Sequence, residues 1–230
     1  MRIEARALRM AGRLSPSDFA AGEGELIGLV GPNGSGKTSF LRGLAGITGE
    51  ADRLCIDGEP LCSLPPAARA HRIAYLPASR LLEWPIPVSR VLRLSPSPVE
   101  EDSVERMVAH LELEPLLDRP SNALSTGERG RVLLGRALAL EPSVLLLDEP
   151  LANLDPYWVL KVTDLLEDAA AGGTTIIAAL HDLALVGRFG RLLLMREGQI
   201  IADGKSEKVA NEPLFAATFR LHGAAPSWTL

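Results

Sequence analysis

Short, unbroken apolar runs recur along this chain, and each ends at a turn. ELIGLV at 25–30, RIAYLP at 72–77, SVLLLDEP at 143–150 and TTIIAAL at 174–180 carry no polar alternation. Apolar runs of this kind predict strands buried on both faces of a sheet. Between them the apolar positions move to helical spacing. Phe40, Leu41, Leu44 and Ile47 share one face of a helix over 38–47. Helices are also expected over 104–117, 131–140 and 155–171, with a short one near 182–187. RLCIDG at 53–58 reads as a strand and turn, and RLLLMREGQIIADG at 191–204 as a hairpin with Glu-Gly at its tip. Strands alternating with helices imply an α/β fold with a mostly parallel sheet covered on both faces. From about residue 79 the texture changes, because prolines 85, 87, 96 and 98 crowd together ahead of the 104–117 helix. This stretch, to about residue 130, fits an inserted helical lobe better than a further strand–helix unit. No internal repeat or low-complexity segment interrupts the pattern.

Composition narrows the class. A chain of 230 residues makes one large domain, or one domain with an inserted lobe. Hydrophobic residues at 47% and charged residues at 23% are ordinary for a globular protein. The net charge of −5 argues against nucleic acid as the main partner. No apolar run is long enough to span a bilayer. The opening MRIEARALRM is charged throughout, so a signal peptide is not expected. Cys55 and Cys62 are then expected to be reduced thiols.

The candidate chemistry starts at GPNGSGKTS, residues 31–39: Gly31, Pro32, Asn33, Gly34, Ser35, Gly36, Lys37, Thr38 and Ser39. The spacing G-x-x-x-x-G-K-[ST] between a strand and a helix is a phosphate loop. Its glycines let successive N–H groups point inward at phosphate oxygens, and Lys37 adds a positive charge for the β- and γ-phosphates. Thr38 offers a hydroxyl to Mg²⁺, and the following helix adds its positive end. A nucleotide–metal site needs an acidic partner, which the SVLLLDEP strand supplies as Asp148. Glu149, the next residue, is placed to polarise an attacking water. His181 follows another apolar strand, where it is placed to donate to the γ-phosphate. His71, His110 and His222 are expected to be ordinary surface or core residues.

A second turn-to-helix junction stands in LSTGERGR, residues 124–131. In order, GPNGSGKTS, LSTGE, VLLLDEP, ANLD and LHD resemble the ATP-binding subunit of ABC transporters, and the resemblance covers nearly the whole chain. It implies a P-loop NTPase core with a mostly parallel sheet, an N-terminal antiparallel β portion and an inserted α-helical lobe. The single domain over 1–230 then divides into a core of 1–78 and 131–230 and a lobe of 79–130 ending in LSTGE. That segment looks like the family's signature motif, with Thr126 and Glu128 at its two variable places. In this family two such domains pack head to tail, and the signature of one closes over ATP held by the other. The resemblance therefore assigns Ser125, Thr126, Gly127 and Glu128, with Asp155 of ANLD, to a site in a second copy of the chain. ATP and Mg²⁺ are the implied cofactors. Closure on ATP and opening after phosphate loss would drive separate transmembrane permease subunits, docked near the 79–100 segment. The expected place is the cytoplasmic face of the inner membrane, as a peripheral subunit.

LHDLALVGRFGRLLLMREGQIIADG resembles importers of iron complexes, haem or cobalamin, which implies a periplasmic solute-binding protein as a further partner. Two positions depart from the family. Its usual glutamine after the RIAYLP strand is Ala78 here, and the chain's one glutamine is Gln199. Ser79, Arg80 or a water would have to fill that role, so hydrolysis is expected to be slowed and not abolished, with Glu149 kept. The alternative reading is a nucleotide-gated regulatory subunit, or a soluble ABC-type ATPase, with slow turnover. The aromatic residue that usually stacks on adenine is also missing near Met10–Gly12, leaving Met10 as a softer contact.

Overall fold

The computed structural model describes residues 1–221. Ten strands run in chain order: β1 (Ile3–Met10), β2 (Leu14–Ala21), β3 (Leu26–Val30), β4 (Arg53–Ile56), β5 (Glu59–Pro60), β6 (Ile73–Leu76), β7 (Val144–Asp148), β8 (Thr175–Ala179), β9 (Arg191–Arg196) and β10 (Gln199–Lys205). The α-helices are α1 (Lys37–Leu44), α2 (Pro66–Arg72), α3 (Val88–Val91), α4 (Glu101–His110), α5 (Thr126–Leu138), α6 (Pro156–Ala171), α7 (Ser206–Ala210) and α8 (Pro213–Phe219). His222 and the expected domain limit at 230 lie outside the described residues.

The strands form two sheets, ordered β2-β1-β4-β5 and β10-β9-β3-β8-β7-β6. The smaller sheet is antiparallel. In the larger one β9, β3, β8, β7 and β6 run parallel, and β10 returns antiparallel at the edge. Every residue of β3, β7 and β8 is buried, which is why these strands read as unbroken apolar runs. Helix α1 lies between the sheets. Phe40 from α1 meets Phe19 from β2 edge to face at 5.4 Å, inside a cluster with Leu8, Ile27, Leu29 and Leu146. A second cluster joins the opposite face of the large sheet to the lobe, through Leu145, Leu147, Val132, Val88, Val91 and Val104.

Two expected helices are shorter than their apolar spacing. The 38–47 helix stops at Leu44, Gly46 follows at φ 61°, and Ile47 is exposed. The 104–117 stretch is not one helix: α4 starts at Glu101 and ends at His110. Glu112 takes φ 49°, and Pro115 sits in a separate 3₁₀ turn at Glu114–Leu116. Leu111, Leu113 and Leu116 remain buried, so the periodicity reported burial while the proline decided the backbone. Helix α2, begun by Pro66, was invisible to periodicity because it buries nothing. Helix α5 runs unbroken across residue 130 and packs against α3, α4 and β6, so it physically joins the 79–130 stretch to the sheet.

Candidate functional site

The 31–39 loop connects β3 at the centre of the large sheet to α1. Its shape demands its glycines. Gly36, the residue before α1, takes φ 105°, a conformation that side-chain-bearing residues rarely adopt. Gly31 passes so close to the carbonyl of Met195 that no Cβ would fit. With glycine before the helix there is no side-chain cap, and no acidic residue occupies the first turn. The N-terminal amides and the helix dipole are thus left for an anion. Lys37 arches back over the loop, its Nζ donating to the carbonyls of Gly31 at 2.6 Å and Pro32 at 3.2 Å. Burial pushes the Lys37 ammonium below its ordinary pKa, and Glu149 and Asp148 pull it back up.

A cleft of about 550 Å³ opens over this loop, lined by Asn33, Gly34, Ser35, Gly36, Lys37, Thr38 and Ser39, by Glu149 and His181, and by Met10, Gly12, Arg13, Leu14, Ser15, Glu197 and Gly198. Asp148 lies just behind the lining, at the end of β7 and 1% exposed. Burial raises its carboxyl, while the Thr38 hydroxyl, and Tyr75 donating at 3.4 Å, favour the ionised form. Its Oδ1 is nonetheless buried without a hydrogen-bond partner, as is Ser35 Oγ in the loop. A carboxylate oxygen left over beside a threonine hydroxyl is a donor set that suits a hard divalent cation. Glu149 holds φ 55°, and its Oε1 lies 2.5 Å from His181 Nε2. The pairing register explains the meeting: Asp148 and Ala179 are partners on β7 and β8, so residues just beyond them come together at the carboxyl ends of these two strands.

The second turn-to-helix junction stands apart from this cleft. Ser125 caps α5 and forms a capping box: its hydroxyl accepts from the Glu128 N–H at 3.3 Å, and its own N–H donates to Glu128 Oε2 at 2.8 Å. Arg119 adds a bond to Glu128 Oε1 at 2.9 Å. Ser125 and Thr126 are exposed, and Gly127 packs over the carbonyl of Asn153. Asp155 caps α6 by accepting from the Trp158 N–H at 3.1 Å. None of Ser125, Thr126, Gly127, Glu128 or Asp155 lines the cleft that holds Lys37.

Several site residues were missed in the sequence. Tyr75 reaches Asp148 because β6 and β7 pair side by side, a neighbour relation that no local pattern reveals. Glu197 and Gly198 form the β9–β10 turn, both at positive φ, and the turn is bolted to the phosphate loop. The Gly198 N–H donates to Ser35 O and its carbonyl accepts from Ser15, each at 2.9 Å. Ala78 is exposed and absent from the cleft lining, whereas Arg80, two residues on, is buried. The wall where adenine stacking is expected holds Met10, Gly12 and Arg13. Cys55 and Cys62 are free thiols.

A family model described as ABC transporter matches residues 14–152. The hemin import ATP-binding protein HmuV of Mesorhizobium japonicum is 34% identical over 94% of this chain and 90% of its own length. That of Pseudomonas aeruginosa is 36% identical over 96% of this chain and 92% of its own length. Among solved structures, an ATP-binding subunit of an ABC transporter superposes with a TM-score of 0.80 at 24% identity, covering 94% of each chain, which bears on the fold.

Proposed function

The chain belongs to the ABC transporter family of ATP-binding proteins, and from that premise we propose that it is the ATPase of an importer that works as a head-to-tail pair. The observation that carries the pairing is the placement of Ser125 and Thr126. They sit exposed at the start of the 13-residue helix α5, away from the chain's own phosphate loop. The Ser125–Glu128 capping box occupies the N–H groups of Ser125 and Glu128, which leaves those of Thr126 and Gly127 at this helix end for a phosphate on another copy. Gly127 and Asp155 flank the same surface.

In this reading the 31–39 loop and Lys37 hold the phosphates of ATP, and Met10 and Arg13 face the base. Thr38 and Asp148 would hold Mg²⁺, which supplies charge neutralisation at the β- and γ-phosphate oxygens. Glu149 orients and polarises the attacking water, and His181 shares its proton with Glu149 and the γ-phosphate. The partner's Ser125–Glu128 turn closes over the γ-phosphate, so ATP favours the closed pair and phosphate loss releases it. A ligand shifts such an equilibrium only through contacts unique to one state. The core of 1–78 and 131–230 carries the phosphate loop, and the 79–130 lobe carries the closing turn. Among the described residues no helix is long and apolar enough to cross a membrane. In this reading uptake runs through separate permease subunits at the cytoplasmic membrane face, with a solute-binding protein outside, by similarity to the import ATP-binding proteins. The transported class is a haem-, ferric siderophore- or cobalamin-like solute, by similarity to the hemin importers.

The test is phosphate release from Mg²⁺-ATP across a wide protein concentration range. A rate rising faster than linearly, and lost in Gly127→Asp while ATP still binds, supports the pair. A strictly linear rate, unaffected by that variant, sinks it. Uptake of haem, a ferric siderophore and cobalamin into proteoliposomes carrying the copurifying permease decides the solute. The second reading, a slow nucleotide-gated regulator, rests on Ala78 standing where glutamine is usual.

A further inference from the structure

The side chain of Arg80 is buried in the seam where three elements of the site meet. It lies four residues beyond the end of β6, on the strand's exit toward the lobe, and is 7% exposed. Its Nη2 donates to the main-chain carbonyl of Glu149 at 2.5 Å, and its Nη1 to that of Ala152 at 3.2 Å. On the other side the guanidinium lies against Gly130 of α5, so closely that a Cβ there would fall on Nη1. Arg129, the preceding residue of the same helix, spans the Arg80 and Leu124 carbonyls at 3.4 and 3.1 Å. Thus Arg80 links the lobe-bound segment, the α5 helix and the turn that carries Glu149.

Glu149 needs such a brace. Its φ of 55° lies in the left-handed region, which costs a side-chain-bearing residue free energy and persists only where surrounding contacts fix it. A guanidinium suits the task because its planar fork reaches two carbonyls at once. Burying an arginine is costly unless its donors are used; here Nη1 and Nη2 hold the backbone at either end of the 149–152 turn, while Nε is buried without a hydrogen-bond partner.

We propose that Arg80 is a positioning residue for hydrolysis, fixing the 149–152 backbone so that the Glu149 carboxylate stays aimed into the cleft, with Gly130 as the space it requires. The proposal rests on the reading of Glu149 as the group that polarises water. It also gives the segment after β6 a physical link to the reacting end of the site, although the methyl of Ala78 offers no polar group.

Arg80→Ala is expected to lower kcat for ATP hydrolysis about 10²-fold, the scale of a roughly 1 Å misplacement of a reacting group. Affinity for ATP and KM stay within about twofold, since Arg80 touches no part of the phosphate loop. Arg80→Lys reaches one carbonyl and restores part of the loss. Gly130→Ala displaces the guanidinium and lowers kcat in the otherwise native chain, but costs nothing further once Arg80 is alanine. Glu149→Gln is the reference: adding Arg80→Ala to it should leave the residual rate unchanged, because Arg80 acts through Glu149. If Glu149→Gln keeps full turnover, the reading of Glu149 is wrong, and this role for Arg80 goes with it. If Glu149→Gln is inactive but Arg80→Ala turns over normally, the Arg80 proposal alone is overturned. The same holds if Arg80→Ala costs the same factor in both backgrounds, or if kcat and ATP binding fall together. Should Arg80→Ala not fold, the Lys and Gly130→Ala variants decide by the same split of kcat against KM.

Discussion

His181 Nε2 lies 2.5 Å from Glu149 Oε1, so the two side chains proposed for hydrolysis meet each other beyond the carboxyl ends of β7 and β8. Each therefore orients the other. Glu149→Gln should cut phosphate release by about 10²–10⁴-fold, the usual cost of a lost general base, with ATP binding retained. His181→Ala should cost less, and the double variant should be no slower than Glu149→Gln alone, because residues that act as a unit are not additive. Single-turnover hydrolysis beside equilibrium nucleotide binding reads both. Equal, multiplying losses would mean that the two residues act separately.

Lys37 is the clearest case of function set against stability. Its ammonium is buried over two carbonyls, and burial lowers its pKa. A phosphate would replace those carbonyls with charge-assisted bonds worth about 1.5–3 kcal/mol each. Lys37→Met should thus lose about 10–10²-fold in ATP affinity. The nucleotide-free protein should melt no lower than the native chain. Calorimetric titration and a melting curve check the two halves, and a large drop in melting temperature would show instead that Lys37 is structural.

A third prediction concerns a residue remote from the phosphate loop in sequence. Gly198 takes φ 75°, hydrogen-bonds to Ser35, and approaches the Arg13 carbonyl so that an added Cβ would lie at 2.7 Å. Gly198→Val should displace the β9–β10 turn from the phosphate loop, weakening ATP binding about tenfold or more through strain of about 1–3 kcal/mol. Gly58→Val is a fitting control, since its φ of 81° is also positive, nothing lies within 4 Å of its Cβ, and it lies outside the cleft. Equal loss in both variants would point to general strain and not to the contact.

These residues also mark what the sequence makes legible. The phosphate loop, the buried strands and the order of motifs are written in local patterns, because a glycine turn and an unbroken apolar run each have a near-unique structural use. Asp148, Glu149 and His181 were legible too, since they stand at strand ends, where an open α/β sheet gathers its ligands. Tyr75 was not; Gly198 was read only as a hairpin tip, and Arg80 only as one possible stand-in for the missing glutamine. Each owes its place to contacts between elements far apart in the chain, such as β6 beside β7 or the β9–β10 turn against Ser35. The 104–117 helix failed for a different reason: burial continued past the point where Pro115 and the positive φ of Glu112 ended the helix.

Glu128 offers a test that reads the Ser125–Glu128 turn without nucleotide. Burial raises its carboxyl, yet the Ser125 N–H, the Ser125 hydroxyl and Arg119 together outweigh this and hold its pKa below the usual glutamate value. A carboxyl whose pKa is lower in the folded than in the unfolded chain contributes stability above its unfolded pKa, about 4.3. That contribution fades as pH falls through the lowered folded value, where the group is protonated in both states. Glu128→Gln removes the charge and keeps the shape. At pH 7 it should therefore melt below the native chain, by about 1–6 °C for a capping interaction of roughly 0.3–1.5 kcal/mol. The two melting curves should converge as the pH is lowered below the ordinary carboxylate range. A gap that stays constant to acid pH would mean that the charge of Glu128 does not stabilise the turn. The capping box would then rest on the Ser125 hydroxyl, and the start of α5 would hold its shape with Glu128 free to face a partner.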